Sequence, residues 1–254
     1  MSADISRRNF ITLASVAAGG LLSGCQKIAE SPTAGALIRA GERFTMKTQR
    51  LLLARRPLVR EFTRADISRY HPTTGTVMPA GQAYREMLEN GFRNWRLRVG
   101  GLVQRPLEFS LAELRQLPSR TQITQHQCDE GWSAIAEWTG VQVGRLLHMA
   151  GLASTARYVV FHCLDAMDKV GEHYYESIDL FDAFHPQTIL AYGMNREPLP
   201  VRHGAPLRLR AELHIGYKNA KYVESIELVE SLQRVGQGKG SYWADRGFQW
   251  YVGM

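Results

Sequence analysis

Cys128 stands in the run Gln125-His126-Gln127-Cys128-Asp129-Glu130-Gly131-Trp132-Ser133. It follows a β-rich stretch, Arg120-Thr121-Gln122-Ile123-Thr124, and precedes two acids, a glycine and a tryptophan. That setting is poor for a disulfide and good for presenting one thiolate at the mouth of a fold. Thiolate is the donor that soft transition metals select over the oxygen ligands that suit Mg or Ca. A metal would also keep the sulfur deprotonated against the repulsion of Asp129 and Glu130. Other roles fit the same residues. Most free cysteines behave as small buried hydrophobes. A cysteine hydrolase would use Cys128 as nucleophile and a histidine as base, although neighbouring acids oppose an activated free thiolate. A non-catalytic lipoprotein that binds a ligand or partner is a further class.

The elements that must position Cys128 are legible from residue 95 onward. Trp95 to Val99 alternates like a half-buried strand, Gly100-Gly101 reads as a turn, and a second short strand runs to Arg105-Pro106. Ser110-Leu111-Ala112-Glu113 is a capping box that opens a short helix ending before Pro118. The strand ending at Cys128 follows. Val141 to Ala150 reads as a helix closed by Gly151, and Tyr158 to Cys163 as a buried strand. Tyr174 to Ile178, Thr188 to Tyr192, Leu207 to Ala211 and Tyr222 to Val229 are further strands, and Asp179 caps a short helix before His185-Pro186. Strands outnumber the short helices, so the class is mixed α+β.

The N-terminus reads as an address. Ser6-Arg7-Arg8-Asn9-Phe10-Ile11 precedes an apolar run from Leu13 to Leu22, the pattern of a twin-arginine export signal. Leu22-Ser23-Gly24-Cys25 resembles a lipobox, in which Cys25 becomes the lipid-bearing mature N-terminus. The organisation expected is a signal over 1–24, a linker over 25–45 and one catalytic domain over 46–254. The expected location is periplasmic or otherwise extracytoplasmic, with the membrane reached through lipid on Cys25. Twin-arginine export carries folded proteins, which favours an enzyme loaded with its cofactor in the cytoplasm. The chain has a formal charge of +7. Anionic lipid headgroups, an anionic substrate or a bound phosphate explain that excess better than nucleic acid, because no stacking module is legible.

Several ordered motifs together resemble the molybdopterin-binding domain of the sulfite oxidase superfamily. They are Cys128-Asp129-Glu130-Gly131-Trp132-Ser133, Trp138-Thr139-Gly140, Tyr174-Tyr175-Glu176-Ser177, His185 to Asn195, His203-Gly204-Ala205-Pro206-Leu207-Arg208 and Gly216-Tyr217-Lys218. The similarity runs from about Trp95 to the C-terminus. It is nearer the small exported bacterial branch, which includes the protein-methionine-sulfoxide reductase catalytic subunit, than sulfite oxidases proper. The resemblance implies a strand-rich sulfite-oxidase-like fold and a molybdenum–molybdopterin cofactor with Cys128 as the protein's thiolate ligand. It places Arg208 on the cofactor and Asn219-Ala220-Lys221 around the pterin phosphate. It puts His203 on the pterin or facing the metal, and Cys163 where relatives carry a threonine that touches the pterin. Thr73-Thr74-Gly75-Thr76 falls where relatives contribute an N-terminal cofactor contact. His162 and His185 read as structural, while His126, His173 and His214 have no assigned role.

The chemistry implied is two-electron oxygen-atom transfer. Sulfite oxidases follow the ligand cysteine with arginines that help bind the sulfite dianion. Asp129 and Glu130 stand here instead and repel it at short range. Reduction of an S- or N-oxide, small or protein-bound, therefore ranks above a sulfite oxidase-type dehydrogenation. No Cys-x-x-Cys-His haem motif occurs, so the electrons are expected from a separate partner, a membrane b-type or soluble c-type cytochrome.

Overall fold

The computed structural model describes residues 32–52, 58–167 and 171–253. The chain divides into two units, Met1–Ala54 and Arg55–Met254. In the first, α1 (Pro32–Leu52) is a single helix. Proline at its first position costs nothing, because that residue's N–H has no intrahelical partner. The segment expected as a linker over 25–45 is helical from Pro32, and the second compact unit begins at Arg55. Scattered Gly and Ala suggested irregular chain, but a run with no internal proline lets the helix propagate. The signal, with Arg7, Arg8 and Cys25, lies outside the described residues. Among those described, no helix is long and apolar enough to cross a membrane.

The second unit is built on two five-stranded sheets. The first has the order β2 (Leu107–Ser110), β1 (Arg96–Gly101), β10 (Val223–Val229), β5 (Tyr158–Ala166) and β6 (His173–Asp179). Only the β1–β10 pair is parallel. The second has the order β3 (Ser119–Gln127), β4 (Ser133–Gln142), β7 (Ile189–Met194) and β8 (Glu197–Pro198), with β9 (Arg208–Arg210) also on β7, and is antiparallel throughout. Helices α2 (Gln82–Glu89), α3 (Leu111–Gln116), α4 (Val143–Ala150), α5 (Leu180–Ala183) and α6 (Tyr242–Asp245) are short. The mixed, strand-rich α+β class expected from the sequence is the one observed.

Local rules account for most elements. Ser110 and Glu113 close the predicted capping box, with Ser110 Oγ accepting from Glu113 N at 3.2 Å and the Glu113 carboxylate accepting from Ser110 N at 2.7 Å. Asp179 caps α5 through the Asp182 N–H at 3.0 Å. Two expectations shift. Gly100 and Gly101 end β1, paired with Glu227 and Leu228, and the partner strand forms after Pro106 rather than before it. Proline has no N–H to give a ladder, so pairing resumes beyond it. Residues 133–142 form β4, and the helix expected from Val141 begins at Val143. Short apolar runs such as this carry no decisive period; pairing with β3 and β7 decides.

The main core contains Leu97, Leu114, Leu146, Leu147, Phe161 and Ile226, each at most 1% exposed. Full burial of such side chains stabilises by about 1.5–3 kcal/mol each. A smaller cluster of Ala136, Trp138, Ile189, Ala191, Met194 and Leu199 backs the second sheet. β3 departs from the apolar rule. Its inward residues are Gln122, Thr124 and His126, all buried, so a polar stripe runs up the strand toward Cys128.

Residues 58–80 contain no strand and form a strap along the second sheet. Phe62 N donates to Ile123 O at 2.9 Å and Ser68 N to Ile135 O at 3.0 Å. Val59 exchanges two hydrogen bonds with the Gln187 amide.

Candidate active site

The turn after β3 presents Cys128. Cys128 N donates to Trp132 O at 2.9 Å and Gly131 N donates to Cys128 O at 3.1 Å, a tight loop in which Gly131 takes a φ of +90°. That backbone region strains any residue with a Cβ. Opposite lies Gly216, where an added Cβ would sit 3.2 Å from Cys128 Cα and 3.4 Å from His126 Nε2. A larger residue would push these two loops apart by a few tenths of an ångström. The Cys128 thiol is half-buried, and burial, then Asp129 and Glu130, raise its pKa. A nucleophilic cysteine needs the opposite shift. A bound cation reverses it, which favours the metal-ligand role over the hydrolase.

Beside Cys128 opens a cleft. Its wall takes His126, Asp129, Glu130 and Trp132 from the end of β3 and its turn, and His71 to Thr76 from the strap. Asp165 comes from β5, Arg202 and His203 from the segment leading into β9, Arg208 from the start of β9, and Gly216, Tyr217, Asn219, Ala220 and Lys221 from the loop after it. Of the residues singled out from the sequence, His203, Arg208, Asn219, Ala220 and Lys221 therefore converge on one cleft with Cys128 at its rim.

Cys163 does not. It is fully buried in the main core on β5 and absent from the cleft wall. Burial drives its thiol pKa well up. Two residues further along the same strand, Asp165 lines the cleft. Cys163 is thus a core thiol beside the cleft rather than on its wall.

The convergent residues divide into braces and free groups. Asn219 is a brace: its Oδ1 accepts from Ala211 N at 2.9 Å and its Nδ2 donates to Ile215 O at 3.1 Å. Ala220 contributes backbone, its carbonyl accepting from Leu209 N at 2.8 Å. Lys221 Nζ donates to the carbonyls of Thr74, at 2.7 Å, Thr76 and Arg202, tying the strap across the cleft. Burial, then Arg208, pulls its pKa down to about 8. Arg208 donates from Nη1 to His203 O at 3.0 Å and from Nη2 to Asn219 O at 3.2 Å, with Trp138 stacked at 4.9 Å. Its Nε is buried and has no partner. Burial, then Arg210, lowers its pKa to about 9, leaving it cationic at neutral pH.

His71 is the residue that sequence reasoning missed. Its Nδ1 lies 2.9 Å from the Pro72 carbonyl. A carbonyl only accepts, so Nδ1 carries the proton and Nε2 is a bare acceptor. Nε2 is buried and unpartnered. The ring stands 5.1 Å from His203 and 5.6 Å from His126, with Trp132 and Trp138 edge-on. Burial lowers His71 to about 4 and His203 to about 3, so both are neutral imidazoles. The only sequence signal for His71 was a histidine before a proline in a stretch without periodicity.

Among the described residues, four buried polar atoms on this cleft have no protein partner: His71 Nε2, Thr73 Oγ1, Asp165 Oδ1 and Arg208 Nε. Each costs about 1–3 kcal/mol if left unsatisfied. Two are pure acceptors, one a cationic donor and one a hydroxyl. A ligand that satisfies them carries both donors and acceptors and an anionic group, which fits a pterin with a phosphate tail. The cleft therefore suits a molybdopterin, and Cys128, between the lining residues His126 and Asp129, is its candidate protein thiolate.

Fold and site define a molybdopterin-binding oxidoreductase, and comparison with known proteins agrees. Residues 85–235 match the oxidoreductase molybdopterin binding domain family, and the chain belongs to it. It is 34% identical over 249 residues, 98% of this chain and 88% of the other, to a candidate protein-methionine-sulfoxide reductase subunit, YedZ1, of Azospira oryzae. It is 37% identical over 147 residues to the protein-methionine-sulfoxide reductase catalytic subunit MsrP of Xanthomonas axonopodis, covering 54% of this chain and 46% of that one. The MsrP of Campylobacter jejuni is 31% identical over 54% of this chain and 50% of its own. The chain thus spans about half the length of its MsrP relatives. Among solved structures, the sulfane dehydrogenase SoxCD of Paracoccus pantotrophus superimposes on 59% of this chain and 45% of its own, with a TM-score of 0.49 and 21% identity.

Proposed function

We propose that this enzyme reduces an S- or N-oxide by two-electron oxygen-atom transfer. The observation that carries the direction is the pair of acids, Asp129 and Glu130, exposed on the cleft beside Cys128. They repel a sulfite dianion and leave a neutral oxide unopposed. The flanking imidazoles of His71 and His203 are neutral and add no compensating charge. When bound, the cofactor supplies the two-electron redox couple. The protein's part is to ligate through Cys128, to hold the pterin against His71, Asp165 and Arg208, and to anchor its phosphate near Arg208, Asn219, Ala220 and Lys221.

Apolar side chains adjoin the cleft, which favours an oxide carried on a protein. Tyr70, Val77 and Met78 flank the lining segment 71–76 and are exposed. Phe248, also exposed, packs on Tyr217 and Trp243 of the cleft wall. The MsrP relatives are named for that substrate class. Electrons come from a separate redox protein, a b-type or c-type cytochrome in this reading. Export through Arg7-Arg8 and lipidation of Cys25 would hold the enzyme at the membrane beside it. Replacing Arg7 and Arg8 by lysine should retain the loaded enzyme in the cytoplasm, and unimpaired export would discard that part.

The test of the central reading is Cys128→Ser. It should leave the fold intact while abolishing reduction of dimethyl sulfoxide and free methionine sulfoxide and altering the Mo(V) spectrum. Wild-type turnover with an unchanged spectrum in that variant would falsify the assignment.

A further inference from the structure

His126 lies two residues before Cys128, is 5% exposed and lines the same cleft. Its Nδ1 is 2.7 Å from Arg210 Nη1. A guanidinium has donors and no acceptor, so Nδ1 must be the accepting nitrogen. The proton of the neutral ring is therefore on Nε2. Arg210 is itself immobilised: its Nε donates to Glu212 Oε1 at 3.0 Å and its Nη2 to Glu212 Oε2 at 2.6 Å, over the Trp138 ring at 4.6 Å. Gln122 Nε2 donates to the same Glu212 Oε1 at 2.9 Å. The polar stripe of β3 thus ends in an imidazole whose tautomer and orientation are set from behind by a buried ion pair.

The outward atom of that imidazole is free. Among the described residues no protein acceptor meets His126 Nε2. It sits across from Gly216, 3.4 Å from where a Cβ would stand. A side chain there would crowd that nitrogen. His71 offers the opposite polarity nearby, a bare Nε2 acceptor.

We propose that His126 is a fixed hydrogen-bond donor to the oxygen of the oxide substrate, its Nε2–H form held by Arg210 and Glu212. The inference rests on the oxide-reductase reading and names the residue that recognises the oxide. In the net reaction the S–O or N–O bond breaks. Two electrons from the reduced redox partner and two protons from solvent convert the oxygen to water, and the thioether or amine leaves. As that bond polarises, negative charge grows on oxygen, and a pre-oriented N–H stabilises it without itself being consumed. The product thioether lacks the oxygen, so the donor also separates substrate from product.

Two measurements test this on the loaded enzyme. Nitrogen NMR of protein labelled with ¹⁵N-histidine, with the His126 signals identified by their loss in His126→Gln, should show protonated Nε2 and bare Nδ1; Arg210→Met should release this into a tautomer mixture. In kinetics, His126→Leu should lower kcat/KM for dimethyl sulfoxide by about 10²–10³-fold, the loss typical of one removed transition-state donor. His126→Gln retains an N–H and should recover part of that loss. Molybdenum content should be unchanged in both variants. A protonated Nδ1 in the wild type, or wild-type kcat/KM in His126→Leu, overturns the proposal even if oxides are reduced. A loaded wild-type enzyme that reduces no oxide overturns the functional reading itself, and the donor assignment falls with it.

Discussion

Lys221 Nζ donates to the carbonyl of Thr74 at 2.7 Å, across 147 residues of sequence. One cation on the loop after β9 thereby closes the strap over the cleft, with Thr76 and Arg202 carbonyls completing its three donors. Tyr222 supports the same strap through its hydroxyl, 3.0 Å from Thr76 O. Hydrogen bonds to charged groups contribute about 1.5–3 kcal/mol. Lys221→Met should therefore raise amide exchange across residues 72–77 by about tenfold or more while leaving β10 protected. Unchanged exchange in that segment would show that the strap holds itself.

Arg208 combines a cationic head, full burial and an unpartnered Nε. Truncating one partner of a buried charged contact costs on the order of 2–5 kcal/mol. Arg208→Ala should lower molybdenum and pterin content per polypeptide, and not only turnover, relative to the exposed control Arg234→Ala. Full occupancy in Arg208→Ala would remove the anchoring role.

Glu176 and Lys218 form an ion pair at 2.6 Å in which both side chains are at most 1% exposed. Lys218 Nζ also donates to Ser177 O at 2.6 Å and lies 4.9 Å over Trp250. Removing one partner strands a buried charge, at a cost of about 3–5 kcal/mol, whereas removing both is far milder. Lys218→Met should be strongly destabilised in urea, and Lys218→Met with Glu176→Gln should recover much of the loss. Additive losses would mean that the two do not act as a pair.

Acid should destabilise the protein through its buried neutral imidazoles. His71 falls from an ordinary 6.5 to about 4 on folding and His203 to about 3, in each case chiefly through burial. The unfolded chain takes up these protons as pH drops below 6.5, while the folded chain does not. Stability is thus fully present above pH 6.5 and declines as pH falls toward 4. Urea midpoints of the cofactor-free protein at pH 7.5, 6 and 5 should show the decline, and His71→Asn should flatten it. A flat midpoint over that range in the wild type contradicts the burial of neutral imidazoles.

What the sequence determined by itself was chemistry that residue type and local order encode. A cysteine followed by two acids marked a candidate thiolate ligand and opposed a sulfite dianion, because charge and donor softness belong to the residues themselves. The Ser110 capping box and the strands ending at Gln127 and beginning at Tyr158 were equally legible, since caps and alternation act over a few residues. Tertiary structure decided the rest, because a cleft is built by segments that sequence order does not relate. His71 reaches the site on a strap without any period, and Cys163 lies in the core two residues before Asp165 on β5. Lys221, an expected phosphate neighbour, also clamps that strap. The tautomer of His126 depends on Arg210, 84 residues away, and no local pattern could have set it.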